Sequence, residues 1–418
     1  MTLTARAYRP SAAIRRPSSP PLHQMPEDMP SGATTSTMAT LSRTEGELSL
    51  VTWTPEDAGS PLADLATDYA SLLNQLAAEG DVILHERAFG ALSAAPAVVA
   101  ARESVLRDRD IEAPKLNYID GSPTGRGVLA GIHLLAARPA GPVRVLERNG
   151  QVIGRIVTTE NAEMLALSDV ASTVAGRGTL PPAAETEAVL ASAEEVLANE
   201  GWSFHDVIRT WFYLRDILAW YDDFNRVRNV AFRRMGLLGV DRPVLIPAST
   251  GIEGENARGG YCTLDLLAVR SREGRTLNRG QLENRRQNEA TEYGSAFARG
   301  TYVDLGTTRY VFVSGTASID DHGGSVHDGN FEAQTAHTLD AIAALLEGAG
   351  ADLSDFSQAT AFVKNSEDVP TWNRMAEDFG FASIPTLGVL ADVCRPELLF
   401  ELDGTAVLPA PVQGAGRS

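Results

Sequence analysis

One arrangement of residues and elements occurs three times in this chain, and a chain built that way folds as three similar units that share interfaces. The second and third copies align without a gap over a long stretch. Ala184, Thr186, Leu190, Leu197, Gly201 and Asp206 fall opposite Ala333, Thr335, Leu339, Leu346, Gly350 and Asp355. Conservative pairs lie between them, such as Tyr213 with Phe362 and Arg215 with Lys364. Upstream, Leu167-Ser168 answers Val313-Ser314; downstream, Asp265, Ala268 and Val269 answer Asp403, Ala406 and Val407. The first copy joins through Leu76-Ala-Ala-Glu-Gly-Asp-Val-Ile83. That run echoes Leu197-Ala-Asn-Glu-Gly201 and Asp206-Val-Ile208 once a short loop is dropped.

Hydrophobic spacing assigns the elements within each copy. In the first, strand 48–53 precedes a helix over 62–79 with Leu65, Tyr69, Leu72 and Leu76 at helical intervals. Strand 82–89, a helix over 95–108 and strand 131–136 follow. The second copy opens on a hairpin over 143–153, with Asn149-Gly150 at its turn. Strand 164–168, helix 184–199, strand 207–214, helix 218–235 and strand 261–269 complete it. The third reads strand 310–314, helix 331–347, strand 358–363, helix 367–379 and strands 388–393 and 398–407. The expected organisation is a disordered extension over 1–45, units over 46–140, 141–270 and 292–408, a polar connector over 271–291, and a tail over 409–418. Each unit is β-β-α-β-α-β, an α+β design with two helices on one sheet face. The other faces must then bury one another, and a closed ring of three within one chain does so most economically. Such a pseudo-trimer is expected to be complete as a monomer.

The formal charge of −18 on 418 residues argues against nucleic acid or an anionic membrane as partner. Only Cys262 and Cys394 are present, so no disulfide framework exists and a reducing cytosol is the expected compartment. No apolar run approaches the length of a membrane span. His322, His327 and His337 stand near Asp320, Asp321 and Asp328 without ligand spacing, so no metal site is expected.

The repeat singles out one residue. Glu401 lies in the closing strand of the third copy, among Leu398, Leu399, Phe400 and Leu402. A lone Glu in a strand more often faces water. Flanked like this, it is expected to be desolvated, with a raised pKa suited to acid catalysis. At the equivalent position the second copy has Thr263 and the first Gly131. Of three equivalent clefts, one would hold an acid, which predicts one active site per chain.

The third unit resembles the reactive-intermediate deaminase (YjgF-like) family at Arg299-Gly300, Val313-Ser314-Gly315, Gln334-Thr335, Ala349-Gly350, Val363-Lys364, Pro385 and Glu401. The resemblance implies a chorismate-mutase-like fold and ligand clefts between units. That family has an Arg two residues after the Pro, where this chain has Leu387, which counts against imine or enamine deamination. The chain over about 46–408 is more similar to the chorismatases. The matching residues are Pro247-Ala-Ser-Thr-Gly-Ile252, Tyr293-Gly-Ser-Ala-Phe-Ala-Arg-Gly300, Val313-Ser-Gly-Thr-Ala-Ser-Ile319 and Cys394-Arg-Pro-Glu-Leu-Leu-Phe-Glu401.

This second resemblance implies cleavage of chorismate to pyruvate, with Glu401 as acid. A Cys seven residues before it implies 3-hydroxybenzoate as the other product. Protonating an enol ether needs no metal or redox cofactor. The substrate's two carboxylates call for arginines: Arg299 by family position, then Arg395 and Arg215. Tyr213, Tyr261 and Tyr293 are candidates for orienting hydroxyls or carboxylates. Cys394, with no His beside it in sequence, is expected to shape the pocket. The competing expectations are hydrolysis to a dihydroxycyclohexadiene carboxylate, imine deamination, and a non-catalytic ligand-binding protein.

Overall fold

The computed structural model describes residues 46–55, 61–171, 178–240, 244–283 and 296–411, and the backbone of a short strand β1, Thr40–Ser42. The remainder of the expected N-terminal extension, most of the tail, and Tyr293 lie outside the described residues.

Three mixed sheets carry the chain. The first comprises β1, β2 (Leu48–Trp53), β3 (Val82–Gly90), β4 (Asn117–Asp120) and β5 (Leu129–Ala137), with helices α1 (Pro61–Glu79) and α2 (Ala95–Arg107). The second comprises β6 (Arg144–Arg148), β7 (Gln151–Thr158), β8 (Ala162–Val170), β9 (Val207–Leu214), β10 (Ala248–Glu253) and β11 (Cys262–Ser271), with α3 (Pro182–Asn199) and α4 (Ile217–Arg234). The third comprises β12 (Asn278–Leu282), β13 (Gly300–Leu305), β14 (Thr308–Ala317), β15 (Phe356–Val363), β16 (Thr386–Leu390) and β17 (Phe400–Pro409), with α5 (Phe331–Ala349) and α6 (Val369–Asp378).

The orders β2-β5-β3-β4, β8-β11-β9-β10 and β14-β17-β15-β16 are one topology used three times. In each, the closing strand is central and antiparallel to both neighbours, and the last strand in the order pairs parallel to the one before it. Local signals are met where the sequence places them. The hairpin between β6 and β7 turns on Asn149 and Gly150, both at positive φ. Helix α5 begins at Asn330, whose side chain accepts from Ala333 N, and stops at left-handed Gly350.

Each helix pair covers one face of its own sheet; α3 and α4 bury Val189, Leu190 and Phe224 against Phe212 and Leu266 of β9 and β11. The other three sheet faces meet in a common core that takes Leu48 and Leu50, Ile208 and Trp211, Phe312 and Phe362 from the three sheets in turn. Phe89 of β3 marks the junction, edge-on to Tyr213 at 5.8 Å and to Phe362 at 6.0 Å. All three pairwise interfaces exist: β3 against β7 and β8, β10 against β13 and β14, and β16 against β5 with β15 against β2. The ring closes.

The sequence reading is corrected at the edges. Part of the expected connector is strand β12, which pairs with β13 along its whole length. Strands β4, β10 and β13 were not expected; Ala248-Ser-Thr-Gly-Ile-Glu253 carries no apolar alternation, and its strand state comes from pairing with β9. No described helix is long and apolar enough to cross a membrane.

Candidate active site

Glu401 is the second residue of β17, between Ala317 of β14 and Phe362 of β15. Strand β14 bulges here, slipping register between Val313 and Thr316, and Gly315 lies in the bulge. A Cβ on Gly315 would collide with Glu401 Oε1. The glycine of Val313-Ser314-Gly315 is therefore the space in which the carboxyl group rests. Glu401 is 4% exposed. Burial, with Asp403 adding to it and Arg209 opposing, lifts its pKa to about 8. At neutral pH this is a carboxylic acid.

Behind it runs a buried network joining the second and third units. Asp403 follows Glu401 on the same strand face. Its Oδ2 accepts from Arg209 Nη2 at 2.8 Å and from Thr250 Oγ1 at 2.7 Å. Thr250 Oγ1 in turn accepts from Arg209 Nη2 at 2.6 Å and from Gly315 N at 3.1 Å. The bulge that makes room for Glu401 is thus tied to the partner of its carboxylate neighbour. Burial lowers Arg209 to about 10, so it stays cationic at neutral pH. Its guanidinium lies 4.7 Å from the Trp211 ring, which also carries Arg87 of the first unit at 4.5 Å.

In front of Glu401 is a small inner pocket of about 30 Å³, walled by Tyr221 and Arg228 of α4, Ser249, Phe297, Arg299, Cys394 and Arg395, among others. It shares Tyr221, Cys394 and Arg395 with an outer cleft of about 710 Å³ that follows α4. Arg228 and Arg299 are fully buried, with guanidiniums 5.4 and 5.6 Å from the Phe297 ring. Arg228 donates to Asn225 Oδ1 at 2.7 Å and lies 3.4 Å from Ser249 Oγ. Arg395 donates to Gly323 O at 2.8 Å and to Ser325 Oγ at 3.1 Å, which fixes it at the pocket mouth. Burial, then the nearby Glu401, push Cys394 up to about 12, so it is a neutral thiol.

Glu401, Arg299, Arg395 and Cys394 therefore come together as the sequence reading expected. Arg215, Tyr261 and Tyr213 are not among the residues lining the pocket. The Arg215 guanidinium lies 3.9 Å over the Tyr261 ring and binds Glu255 at 3.2 Å, while Tyr213 is buried in the common core. Sequence reasoning missed Arg228 and Tyr221. Their signal was a cation on the apolar stripe of α4, at helical spacing from Tyr221 and Phe224. Thr250 stood in the Pro247–Ile252 motif without a role attached to it, and Arg209 carried no signal, because the meaning of both depends on a neighbouring unit.

A ring of three YjgF-like units within one chain defines the class, and the comparisons agree with that fold. Residues 294–408 match the Endoribonuclease L-PSP family. The 3-hydroxybenzoate synthase of Streptomyces hygroscopicus is 31% identical over 55% of this chain and 72% of its own length. A chorismatase of Streptomyces rapamycinicus is 29% identical over 53% of this chain and 70% of its own. A chorismatase crystal structure superposes with a TM-score of 0.53 at 24% identity, over 69% of this chain and 86% of that one. The chain belongs to the chorismatase family.

Proposed function

We propose that this enzyme cleaves chorismate to pyruvate and 3-hydroxybenzoate where the inner pocket opens into the outer cleft, the cleft holding the body of the substrate and Glu401 acting as the acid. The observation that carries the reading is a buried carboxylic acid, held protonated at neutral pH, facing buried arginines. Glu401 delivers its proton to the methylene carbon of the enolpyruvyl ether, leaving an oxocarbenium ion beside the Glu401 carboxylate. A positioned acid of this kind contributes about 10²–10⁴-fold. The neighbouring ring hydroxyl oxygen then bonds to the ether-bearing ring carbon as the bond from that carbon to the ether oxygen breaks, releasing pyruvate and leaving an epoxide with its hydroxyl proton passed to the Glu401 carboxylate. The epoxide's original C–O bond opens, the oxygen is protonated, and loss of a ring proton makes the ring aromatic. The two products together contain all the atoms of chorismate, and no water is consumed. Arg228 and Arg299 hold the carboxylates, and Arg395 guards the mouth. Cys394, a neutral thiol, fills space beside the ring where a more polar residue would hold water, consistent with the name of the 31% identical relative.

Hydrolysis to a diol would need an ordered water at that position. Imine deamination is disfavoured because Leu387, in place of the family's arginine, packs against Gly131 at the third interface. We read the protein as a cytosolic monomer, supported by its two free cysteines and by the closed ring within one chain.

The test is to incubate the purified protein with chorismate in H₂¹⁸O and quantify pyruvate and aromatic product by mass spectrometry. Equimolar pyruvate and 3-hydroxybenzoate, the latter free of label, is the expected result. A dihydroxycyclohexadiene carboxylate in place of the aromatic acid would replace this reading with hydrolysis, with or without label in the diol, and no pyruvate above the spontaneous rate would end it.

A further inference from the structure

The interface between the first and second units repeats the construction of the candidate site, with its carboxylate supplied by a different strand. Register fixes the correspondence. Strand β8 slips opposite Asp265 between Leu167 and Val170, as β14 slips between Val313 and Thr316. Asp169 therefore stands where Gly315 stands, and Thr263 where Glu401 stands. His85 and Asn117, which contact Asp265 at 2.9 and 2.8 Å, take the places of Arg209 and Thr250. Asp169 N donates to Asp265 at 2.7 Å, the counterpart of Gly315 N on Thr250. A side chain on the bulge and a Glu on the closing strand exclude each other, as the collision at Gly315 demonstrates. Here the closing strand has the short Thr263, and the bulge side chain enters.

Asp169 is 1% exposed and holds a φ of 54°, a left-handed conformation that Asp adopts more readily than most residues and that glycine adopts more readily still. Its carboxylate accepts from Arg258 Nη1 and from Asn256 Nδ2 at 3.1 Å, with Lys115 Nζ at 3.8 Å. Asn256 precedes Thr263 by the same seven residues that separate Cys394 from Glu401. Arg258 and Lys115 also line a cleft of about 330 Å³ along α2, the counterpart of the outer cleft along α4.

We infer that this interface is a second carboxylate-binding site whose resident ligand is the chain's own Asp169. Its ligand class is a small monocarboxylate, bound by Arg258, Asn256 and Lys115 and excluded while Asp169 fills the place. The inference rests on register and contacts, and it stands whatever the candidate site catalyses.

Calorimetric titration with acetate at constant ionic strength tests it. Asp169→Gly, which installs the residue of the third unit and relieves the left-handed backbone, should bind one acetate per chain more than the wild type. Its melting temperature should rise with acetate but not with chloride. Asp169→Asn, whose amide fills the same space, should bind no more acetate than the wild type, and Asp169→Gly with Arg258→Ala should lose the added equivalent. A folded Asp169→Gly variant without an added equivalent, or one retaining it after Arg258→Ala, overturns the inference. If Asp169→Gly does not fold in chloride, refolding is compared in acetate: recovery there supports the site, and equal failure in both salts overturns it.

Discussion

At the scale of the residue, the proposed role of Glu401 links stability to catalysis through one proton. Its pKa rises from 4.5 to about 8 on folding, so the folded chain binds the proton more tightly. The stability this confers is complete below about pH 4.5 and is lost as pH rises towards 8. Glu401→Gln is expected to fold, to lose turnover by at least about 10²-fold, and to remove this slope. At pH 7 it should be more stable than the wild type by roughly 3 kcal/mol, read by urea denaturation across the pH range. For the wild type, kcat/KM should fall as pH passes about 8, because the acid of the free enzyme is then ionised. The position of this residue was legible in the sequence because three copies could be compared. The arginines were harder to read. Arg299 came from a family motif, whereas Arg228 sits in a helix whose burial depends on contacts that one copy of the repeat does not encode. Tyr213 and Arg215 lie on and just beyond β9, the strand that supplies Arg209, but neither reaches the pocket wall, a distinction that a strand pattern does not contain.

At the scale of the element, the bulge in β14 is the device that seats the acid. Gly315→Ala would drive a methyl group into the Glu401 carboxyl group, with Thr250 Cγ2 at 3.2 Å blocking retreat. The expected cost is about 1–3 kcal/mol of stability. Displacing the acid from its place should lower kcat by about 10²-fold. Steady-state kinetics beside a melting curve would check both, and an active, fully stable variant would show that the bulge does not seat Glu401. The helices and central strands could be read from apolar spacing, because each buries a regular face. The edge strands could not: β10 and β12 are polar runs whose extended form is set by their neighbours β9 and β13.

At the scale of the whole molecule, the polar links between units are as buried as the apolar ones. Asp265 binds His85 and Asn117 of the first unit within a fully buried setting. Asp265→Ala strands those partners and is expected to destabilise the protein by about 3–5 kcal/mol. Because the three sheets share one core, unfolding should remain a single transition, with loss of helix by circular dichroism and loss of activity at the same urea concentration. Two separated transitions would mean that the units melt independently. The ring itself was legible in the sequence, since repeated units with one uncovered face have few ways to satisfy it.

The third interface, where Leu387 presses on Gly131, has a consequence for how such a protein can change. In an assembly of identical subunits every substitution appears at all three interfaces at once, so a residue that closes one closes them all. Fusion gives each position its own address. A leucine wedge at one junction, an aspartate at the next and a glutamic acid at the last can then coexist in one ring. This chain can become asymmetric one junction at a time, while the other two go on holding the barrel of sheets together.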